Sequence, residues 1–369
     1  MLIYDIALTL IPEIGTIRGR RLIDVFGSAE EALKREPEEI EELTLIPRLA
    51  LRNFATHRVF PEAEAELRFA EHHGIEVVPI TSPRYPARLR ECCDAPLVLY
   101  VKGNLDFNSD HWLSVVGTRK ITSYGKSMCD ALIGGLAPAR PETIVVSGLA
   151  YGVDIAAHLA AMDNGLKTIA VLAHPLDRIY PECHGDHARR ILAEGGALVS
   201  EFHSRHEMLP ANFLRRNRII AGLSTGTLVV ESARRGGSLS TANYAFHYDR
   251  DVMAVPGRVG TPMSEGPNLL IQRNKAAMIL ESNDILETLN WDTPGKTSRR
   301  EKARQPDLFE TLPPAEKKIM EALADPRALS IDDLAVKTDL PSYTVSALLF
   351  TLELKNAVRM RPGNMAEIV

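Results

Sequence analysis

Six short apolar segments dominate the middle of the sequence, and most of them end in glycine, serine or glutamate. β-Branched residues occupy both faces of each segment, and the residues that follow have helical periodicity. This alternation is typical of buried parallel strands joined by helices, with the loops gathered at the carboxyl edge of the sheet. The predicted fold class is therefore α/β, an extended Rossmann-like parallel sheet. The segments are Leu113–Gly117, Thr143–Gly148, Thr168–Leu172, Ala197–Glu201, Thr227–Glu231 and Val252–Gly257.

The 369 residues are enough for two or three domains. Residues 1–75 are predicted to be helical, either a helix-hairpin-helix around Glu13–Gly19 that holds a nucleic-acid phosphate or a small helical cap. Residues 76–290 hold the sheet, with extra strands at one side near Ile75–Ile80 and Pro96–Val101. Residues 291–310 are polar and basic, which indicates a flexible linker.

Residues 311–369 are predicted to form a winged-helix-like domain of three helices and a β-hairpin that turns at Pro362-Gly363. The third helix, Pro341 to Lys355, carries one basic residue and is rich in leucine, valine and phenylalanine. A helix that reads the major groove needs arginines or amides. The composition therefore favours a protein-contact or packing module.

The formal net charge is -5, so an anion site must come from local clustering of cations. The four cysteines form no spaced framework, which indicates reduced thiols. The first residues lack the features of a signal peptide, and no apolar run is long enough to span a bilayer. We expect a cytoplasmic protein without a membrane partner.

Three loops at the predicted carboxyl edge combine glycine with cations or hydroxyls. In Val116–Lys120, Gly117 permits close approach of a ligand, while Arg119 and Lys120 supply charge. In Ser147–Asp154, Gly148 gives a tight turn and Asp154 is expected to cap the next helix. Gly237 and Ser238 lie in a glycine-rich loop that can form a nest of backbone amides around a phosphate. The loops match neither the dinucleotide nor the Walker fingerprint.

A helical segment adds Arg215, Arg216 and Arg218, which are close together in the sequence and predict a shared cationic site. Two histidine pairs, His184 with His187 and His203 with His206, lack a third ligand, so neither a metal nor another cofactor is expected. Ser147 and Ser238 have no evident base beside them. Glu201 and Glu231 could be structural anchors or acids. The interpretation is a binding protein and not an enzyme.

Taken in order, several strings over about residues 110–280 resemble the DNA-processing protein A (DprA/Smf) family. They are Val116–Arg119, Ser147–Ala150, Gly152–Asp154, Tyr180-Pro181, Ser200-Glu201, Arg216–Ser224, Val229–Glu231, Gly237–Leu239, Thr241-Ala242, Ala254–Gly257 and Gly266–Ile271. Asn274-Lys275 stands where the family usually has Gly-Ala, and asparagine tolerates the left-handed backbone that such a turn needs.

The resemblance implies a Rossmann domain that binds single-stranded DNA without sequence preference and delivers it to the RecA recombinase during natural transformation. It also implies a homodimer. By position, Arg119 matches a DNA-contacting arginine and Lys167 a basic DNA-binding position, while Gly148, Gly237 and Ser238 lie in anion-binding loops. Two other functions stay open: a Rossmann-like hydrolase of nucleoside monophosphates, and a transcription regulator that uses the C-terminal domain.

Overall fold

The computed structural model describes residues 2–51, 54, 59–103, 106, 109–291, 313–323, 329–354, 358–361 and 365–368. They fall into two compact units, Met1–Thr293 and Pro294–Val369. Apart from Trp291, the linker predicted over residues 291–310 lies outside the described residues. In the part of the chain that the structure describes, no helix is long and apolar enough to cross a membrane.

The first unit begins with helices and continues with alternating strands and helices. Its helices are Leu2–Leu10 (α1), Thr16–Phe26 (α2), Ala29–Leu33 (α3), Pro37–Thr44 (α4), Val59–His72 (α5), Ala87–Glu91 (α6), Ser123–Leu136 (α7), Val153–Asp163 (α8), Gly185–Ala193 (α9), Pro210–Leu223 (α10), Ser238–His247 (α11), Glu265–Gln272 (α12) and Ser282–Thr288 (α13). Its strands are Glu76–Pro79 (β1), Val98–Gly103 (β2), Trp112–Val116 (β3), Ile144–Ser147 (β4), Lys167–Val171 (β5), Ala197–Ser200 (β6), Gly226–Val229 (β7), Asp251–Ala254 (β8) and Ala277–Met278 (β9).

These strands form one sheet, which has nine strands among the described residues, in the order β1-β2-β6-β5-β4-β3-β7-β8-β9. The strands from β6 to β9 pair in parallel, and β1 and β2 add antiparallel pairs at the β6 side. The structure thus confirms the six predicted core strands and the extra strands at one side. The edge strand β9 was not predicted.

Both faces of the sheet are buried because alternate residues of each strand pack on opposite helical layers. In β3, Leu113 and Val115 belong to one hydrophobic cluster, while Trp112 and Val116 belong to the other. The polar Ser114 between them is satisfied, since its Oγ lies 2.7 Å from the carbonyl oxygen of Ile220 and 2.6 Å from Ser224 Oγ. Two-sided burial explains why these strands read as continuous apolar runs.

The chain leaves β3 in one direction, through β4, β5 and β6, and returns to the other side of β3 as β7. The loops after β3 and β7 therefore diverge, which opens a crevice at the carboxyl edge. In open α/β sheets such a switch point is the usual place for a ligand.

The N-terminal helices share a core with the sheet, because Leu8 and Leu22 belong to the same cluster as Leu97 and Leu99. Within the predicted hairpin, Gly19 faces this core: a Cβ at that position would lie 2.2 Å from Leu97 Cδ1. The glycine there permits close packing of α2 on the sheet.

The second unit contains helices Pro314–Leu323 (α14), Ile331–Thr338 (α15) and Ser342–Leu354 (α16), and strands Leu329–Ser330 (β10), Val358–Arg361 (β11) and Met365–Ile368 (β12). The strands pair antiparallel in the order β10-β12-β11. This is the predicted set of three helices and a hairpin, although the Pro362-Gly363 turn lies outside the described residues. On α16 the side chains of Tyr343 and Phe350 are exposed.

Candidate functional site

A cavity of about 280 Å³ lies at the switch point between β3 and β7. The end of β3, the start of α8, the first turns of α10 and the loop between β7 and α11 form its walls. We call it the switch-point cavity. Its lining comprises Val116, Gly117, Thr118, Arg119, Ala150, Asp154, Phe213, Leu214, Arg216, Asn217, Ile220, Ser232, Ala233, Gly236, Gly237, Ser238 and Thr241.

The loop after β3 is held by backbone hydrogen bonds on both sides. The N–H of Thr118 donates to the carbonyl oxygen of Glu231 at 2.7 Å, and the N–H of Val153 donates to the carbonyl oxygen of Thr118 at 3.0 Å. Gly117 is required here because a Cβ would lie 2.4 Å from Val153 Cγ2. The loop thereby presents the next residue, Arg119, at the mouth of the cavity.

Glu231 is a structural anchor for the same loop. Its carboxylate accepts hydrogen bonds from the backbone N–H of Thr122 at 2.8 Å and from Thr122 Oγ1 at 2.6 Å. Thr122 in turn caps α7 through Gly125. Of the two roles considered for Glu231, the geometry supports the anchor, because both carboxylate oxygens are engaged in fixing the start of a helix.

Arg119 is an exposed cation beside an aromatic ring. Its guanidinium carbon lies 5.1 Å from the ring centroid of Phe213. Lys120 beside it is also exposed, and among the described residues no carboxylate lies within 4.0 Å of either side chain. Both charges are therefore available to an anion that approaches the cavity.

Arg216 is the buried cation of the cavity. Its Nη1 donates to the carbonyl oxygen of Val171 at 2.9 Å, while its Nε has no hydrogen-bond partner among the described residues. A Cβ on Gly148 would lie 1.4 Å from Arg216 Nη1, so only glycine leaves room for the guanidinium. Burial lowers the pKa of Arg216, Asp154 opposes this, and the like charge of Arg119 adds to it.

Asp154 interacts with Arg216, and it is not the N-cap of α8, which was its predicted role. The residue that precedes α8 is Gly152, with φ of +79°, and Asp154 is the second residue of the helix. Burial raises the pKa of the Asp154 carboxyl, whereas Arg216 and the backbone N–H groups of Ala150 and Gly148 lower it. The carboxylate thus fixes the glycine turn and balances part of the buried positive charge.

The amino end of α11 opens on the cavity from the other side. Gly237 precedes the helix and supplies no side-chain cap, and its carbonyl oxygen accepts from Asn217 Nδ2 at 3.2 Å. Ser238 is buried, with its Oγ 2.8 Å from Ser232 Oγ. The partial positive charge of an uncapped helix start favours an anion.

The other two arginines of α10 face away from this cavity, which corrects the prediction of a shared site. Arg218 is buried and contacts Glu201 with 2.5 Å between Nη2 and Oε2, and Arg215 Nη2 lies 2.9 Å from the same oxygen. Successive residues of a helix differ by about 100° in direction, so neighbours in the sequence need not share a face. Glu201 is therefore also an anchor.

Lys167 is exposed at the amino end of β5, whereas the cavity lies at the carboxyl edge. A five-residue strand with a rise of about 3.3 Å per residue puts roughly 13 Å between the two edges. The sheet thus separates Lys167 from Arg119, so the two DNA-binding positions that the resemblance implies do not lie in one site.

Aromatic residues that were not predicted to bind DNA flank the mouth of the cavity. The rings of Tyr180 and Phe213 are 5.9 Å apart, and Tyr180 and Tyr151 are about half exposed. Together with Arg119 and Gly148 they line a small adjoining pocket. The signal that could have found Phe213 is its place on α10, one helical turn before Arg216 and Asn217.

The histidine pairs do not form a metal centre within the described ranges, which contain no group of three or more candidate ligands. His184 is buried, and its Nδ1 lies 2.8 Å from the carbonyl oxygen of Leu149. This contact supports the turn before α8.

Known proteins are similar to this chain in sequence and in fold. The family described as DNA recombination-mediator protein A matches residues 76–290, and the DprA winged helix domain matches residues 302–364. Protein Smf of Escherichia coli is 41% identical over 249 residues, 66% of this chain and 65% of that protein, just under two thirds of its length. Protein Smf of Synechocystis is 30% identical over 98% of this chain and 97% of its own length.

Two solved structures are similar to this one. DNA processing protein A from Streptococcus pneumoniae is 31% identical, with a TM-score of 0.63, and the match covers 77% of this chain and 96% of that one. DNA processing protein A from Helicobacter pylori, whose structure addresses its single-stranded DNA binding mode, is 27% identical with a TM-score of 0.52. That match covers 59% of this chain and 96% of the H. pylori chain.

Proposed function

The chain belongs to the DNA recombination-mediator protein A family, and from that premise we propose that it binds single-stranded DNA at the switch-point cavity without sequence preference. One observation carries the proposal: an exposed Arg119, with no carboxylate within 4.0 Å in the part of the chain that the structure describes, lies over Phe213 at the mouth of a cavity that also contains buried Arg216 and the start of α11, which has no side-chain cap. The H. pylori relative, which binds single-stranded DNA, supports it.

The charges and donors of the cavity suit phosphate. Arg119 offers a forked donor from solvent, and the amino end of α11 offers backbone amides. Arg216 adds a positive charge that is fixed by Val171 and only partly balanced by Asp154. These groups recognise the backbone and not the base edges, which predicts strong salt dependence and weak base preference.

The aromatic residues explain why a single strand fits better than a duplex. Tyr151, Tyr180 and Phe213 can stack on bases only when those bases are unstacked and free to turn outward. A flexible strand can place a phosphate in the cavity and a base on these rings, whereas a rigid duplex cannot do both.

The test is fluorescence anisotropy with single- and double-stranded DNA of the same length, over a salt series from about 50 to 200 mM. We expect preference for the single strand, affinity that falls steeply with salt, and about tenfold weaker binding by Arg119→Ala with a slope reduced by about 0.7. Arg21→Ala, which removes an exposed arginine of α2, is the matched control. Equal affinity of Arg119→Ala and the parent protein would overturn the assignment of the site.

We further propose that the bound strand passes to the RecA recombinase, and that the protein acts as a homodimer. The family's role as a recombination mediator supports the first statement. A RecA filament assay on DNA covered by single-strand binding protein should show faster nucleation with the protein than without it. Sedimentation at increasing concentration should show a dimer. No acceleration, or a monomer throughout, would exclude the respective statement.

One observation supports the alternative hypothesis that the protein is a hydrolase of nucleoside monophosphates. Asp154 is a buried carboxyl of raised pKa in a cleft beside an arginine, which is a setting that enzymes use for acids. We favour a binding role because backbone N–H groups and Ser147 already engage this carboxylate. Release of free base from a nucleoside monophosphate by the purified protein, abolished in Asp154→Asn, would establish the enzyme instead.

A further inference from the structure

The loops that follow β7 and β8 carry cations that the proposed site does not use. Arg234 and Arg235 lie in the loop after β7, and Arg258 lies in the loop after β8. All three are exposed, and within the described ranges none has a carboxylate within 4.0 Å. Elsewhere on this unit many surface arginines are paired, such as Arg84 with Glu76 at 2.8 Å.

Two open grooves lie near the switch-point cavity. Arg234 lines a groove of about 630 Å³, and Arg258 lines one of about 430 Å³; Pro256 and Gly257, which follow β8, border both. The second groove also contains Thr122 and Glu231, from the loops on either side of the cavity mouth. The loop after β7 borders both the cavity and the first groove, since Ala233 lines the cavity and Arg234 lines the first groove, so cavity and groove adjoin at the carboxyl edge of the sheet.

The second groove contains an exposed aromatic ring next to its arginine. Tyr124 is 45% exposed, and its hydroxyl donates to the carbonyl oxygen of Pro256 at 2.7 Å. This hydrogen bond fixes the ring against the loop after β8. A fixed aromatic face beside a free arginine is the combination that binds a base and its phosphate in single-strand grooves.

The charged side chains of the grooves and their border leave a small excess of positive charge. Glu231 lines the second groove, and Thr122 donates two hydrogen bonds to its carboxylate without removing the charge. Glu265 lines the first groove and is exposed. With Arg235, which follows Arg234 in the loop, the described residues here supply three arginines against two carboxylates.

We propose that the single strand continues from the switch-point cavity over the amino end of α11 and along these grooves to Tyr124 and Arg258. The inference rests on the proposed function and adds a second segment of the DNA path. Neighbouring strands are about 4.8 Å apart, so β3 and β8 are separated by roughly 10 Å. A very short oligonucleotide can occupy the cavity alone, while a longer one reaches both segments.

The experiment compares a thymidine oligonucleotide of about four nucleotides with one of about twenty, by anisotropy at several salt concentrations. The double variant Arg234→Ala/Arg235→Ala should bind the long oligonucleotide about tenfold more weakly, with a salt slope lowered by about 0.7 for each phosphate that the variant no longer neutralises. Its affinity for the short one should match that of the parent protein. Tyr124→Leu should weaken only the long complex, by a few-fold.

Arg21→Ala/Arg68→Ala, which removes two exposed arginines from α2 and α5, controls for the change in net charge. If the grooves hold DNA, this control binds both oligonucleotides as the parent does. If the parent binds both and the Arg234/Arg235 variant equals the parent, or is weakened equally for both lengths, the extended path is wrong and the cavity site stands. If the parent binds neither, the proposed function fails and the path with it.

Discussion

The two sides of α10 place the same kind of side chain in different electrostatic settings. On one side, Arg218 and Arg215 share the carboxylate of Glu201. On the other side, Arg216 enters the switch-point cavity, where Arg119 has no described carboxylate partner and adds a like charge. On the first side, both arginines contact a carboxylate. On the second side, the exposed guanidinium of Arg119 has no carboxylate within 4.0 Å among the described residues, so it is available to an anion.

Breaking the paired side should give the largest effect, and it should be on stability. In Arg218→Met, Glu201 loses its buried partner, and we expect the free energy of unfolding to fall by about 3 kcal/mol. Urea denaturation measures this change. Because Arg218 lies outside the cavity, the folded variant should keep its affinity for single-stranded DNA within about twofold.

The double variant Glu201→Met/Arg218→Met removes both buried charges and should recover part of the lost stability. A stable Arg218→Met that binds DNA poorly would instead place Arg218 in the DNA site and abolish the distinction between the two sides.

Gly148→Ala tests the packing around Arg216. The new Cβ would overlap the guanidinium of Arg216, so the arginine must move, at a cost of about 1–3 kcal/mol. Both the urea midpoint and the DNA affinity should fall. Gly165→Ala is an unsuitable control because of its positive φ, whereas Gly237→Ala has open space and ordinary φ and should unfold as the parent does.

The pH dependence of stability reports on the buried layer beneath the cavity. Nδ1 of His158 lies 2.7 Å from Thr168 Oγ1. Because the Thr168 hydroxyl donates its proton to the carbonyl oxygen of Val145, the His158 Nδ1–H must be the donor in this contact. Burial, and then the charge of Arg216, lower the pKa of His158 to about 3. Between the ordinary value near 6.5 and about 3, the unfolded chain binds a proton that the native protein does not.

Stability should therefore decrease as the pH falls below about 6.5, by up to about 1.4 kcal/mol per pH unit from this group. His158→Gln should flatten the plot of unfolding free energy against pH over that range. If the slope of unfolding free energy against pH were unchanged, His158 would have an ordinary pKa, and the layer under Arg216 would be more hydrated than its contacts indicate.

Phe213→Leu tests the open side through its aromatic ring. Leucine keeps most of the apolar contact but removes the cation–π interaction with Arg119 and the stacking face, so we expect binding to weaken by about 1 kcal/mol, roughly fivefold in affinity. Anisotropy with a single-stranded oligonucleotide measures the change. Unchanged affinity would show that the strand contacts Arg119 without reaching the ring.

Lys167→Ala should have the smallest effect. Its position at the amino edge of the sheet keeps it away from the cavity, so a strand held at the carboxyl edge should be bound with an affinity changed by less than about twofold. The resemblance to the family predicts a DNA contact for this lysine. A tenfold loss would support that contact and extend the DNA path to the opposite edge of the sheet.

Local sequence patterns were enough to predict much of the fold. The six core strands were predictable because two-sided burial produces continuous β-branched runs, and the helices of the second unit because proline and serine mark where they begin. Asn274 has φ of 53°, as expected for a residue that replaces glycine in a left-handed turn. Strand β9 was not predicted because it has only two residues, both exposed.

The candidate site was predictable in part. Gly117, Arg119, Gly237 and Ser238 line one cavity because each follows a strand or begins a helix at the same edge, which the alternation of elements already implies. The placement of Arg215 and Arg218 in one site with Arg216 was wrong, because closeness in the sequence does not state which helix face meets Glu201. Lys167 precedes the predicted strand Thr168–Leu172, so the sequence already puts it at the amino end of that strand, and only the resemblance gave it a DNA contact.

The sequence alone determined that the chain builds a parallel sheet and that its glycine loops meet at one edge, since periodicity and turn residues act over a few positions. Only the tertiary structure decided which cations are free. Whether an arginine meets a carboxylate depends on residues far away in the chain, as Glu231 for Thr122 and Glu201 for Arg218 show. Long-range packing therefore set the charge of the site, while short-range pattern set its scaffold.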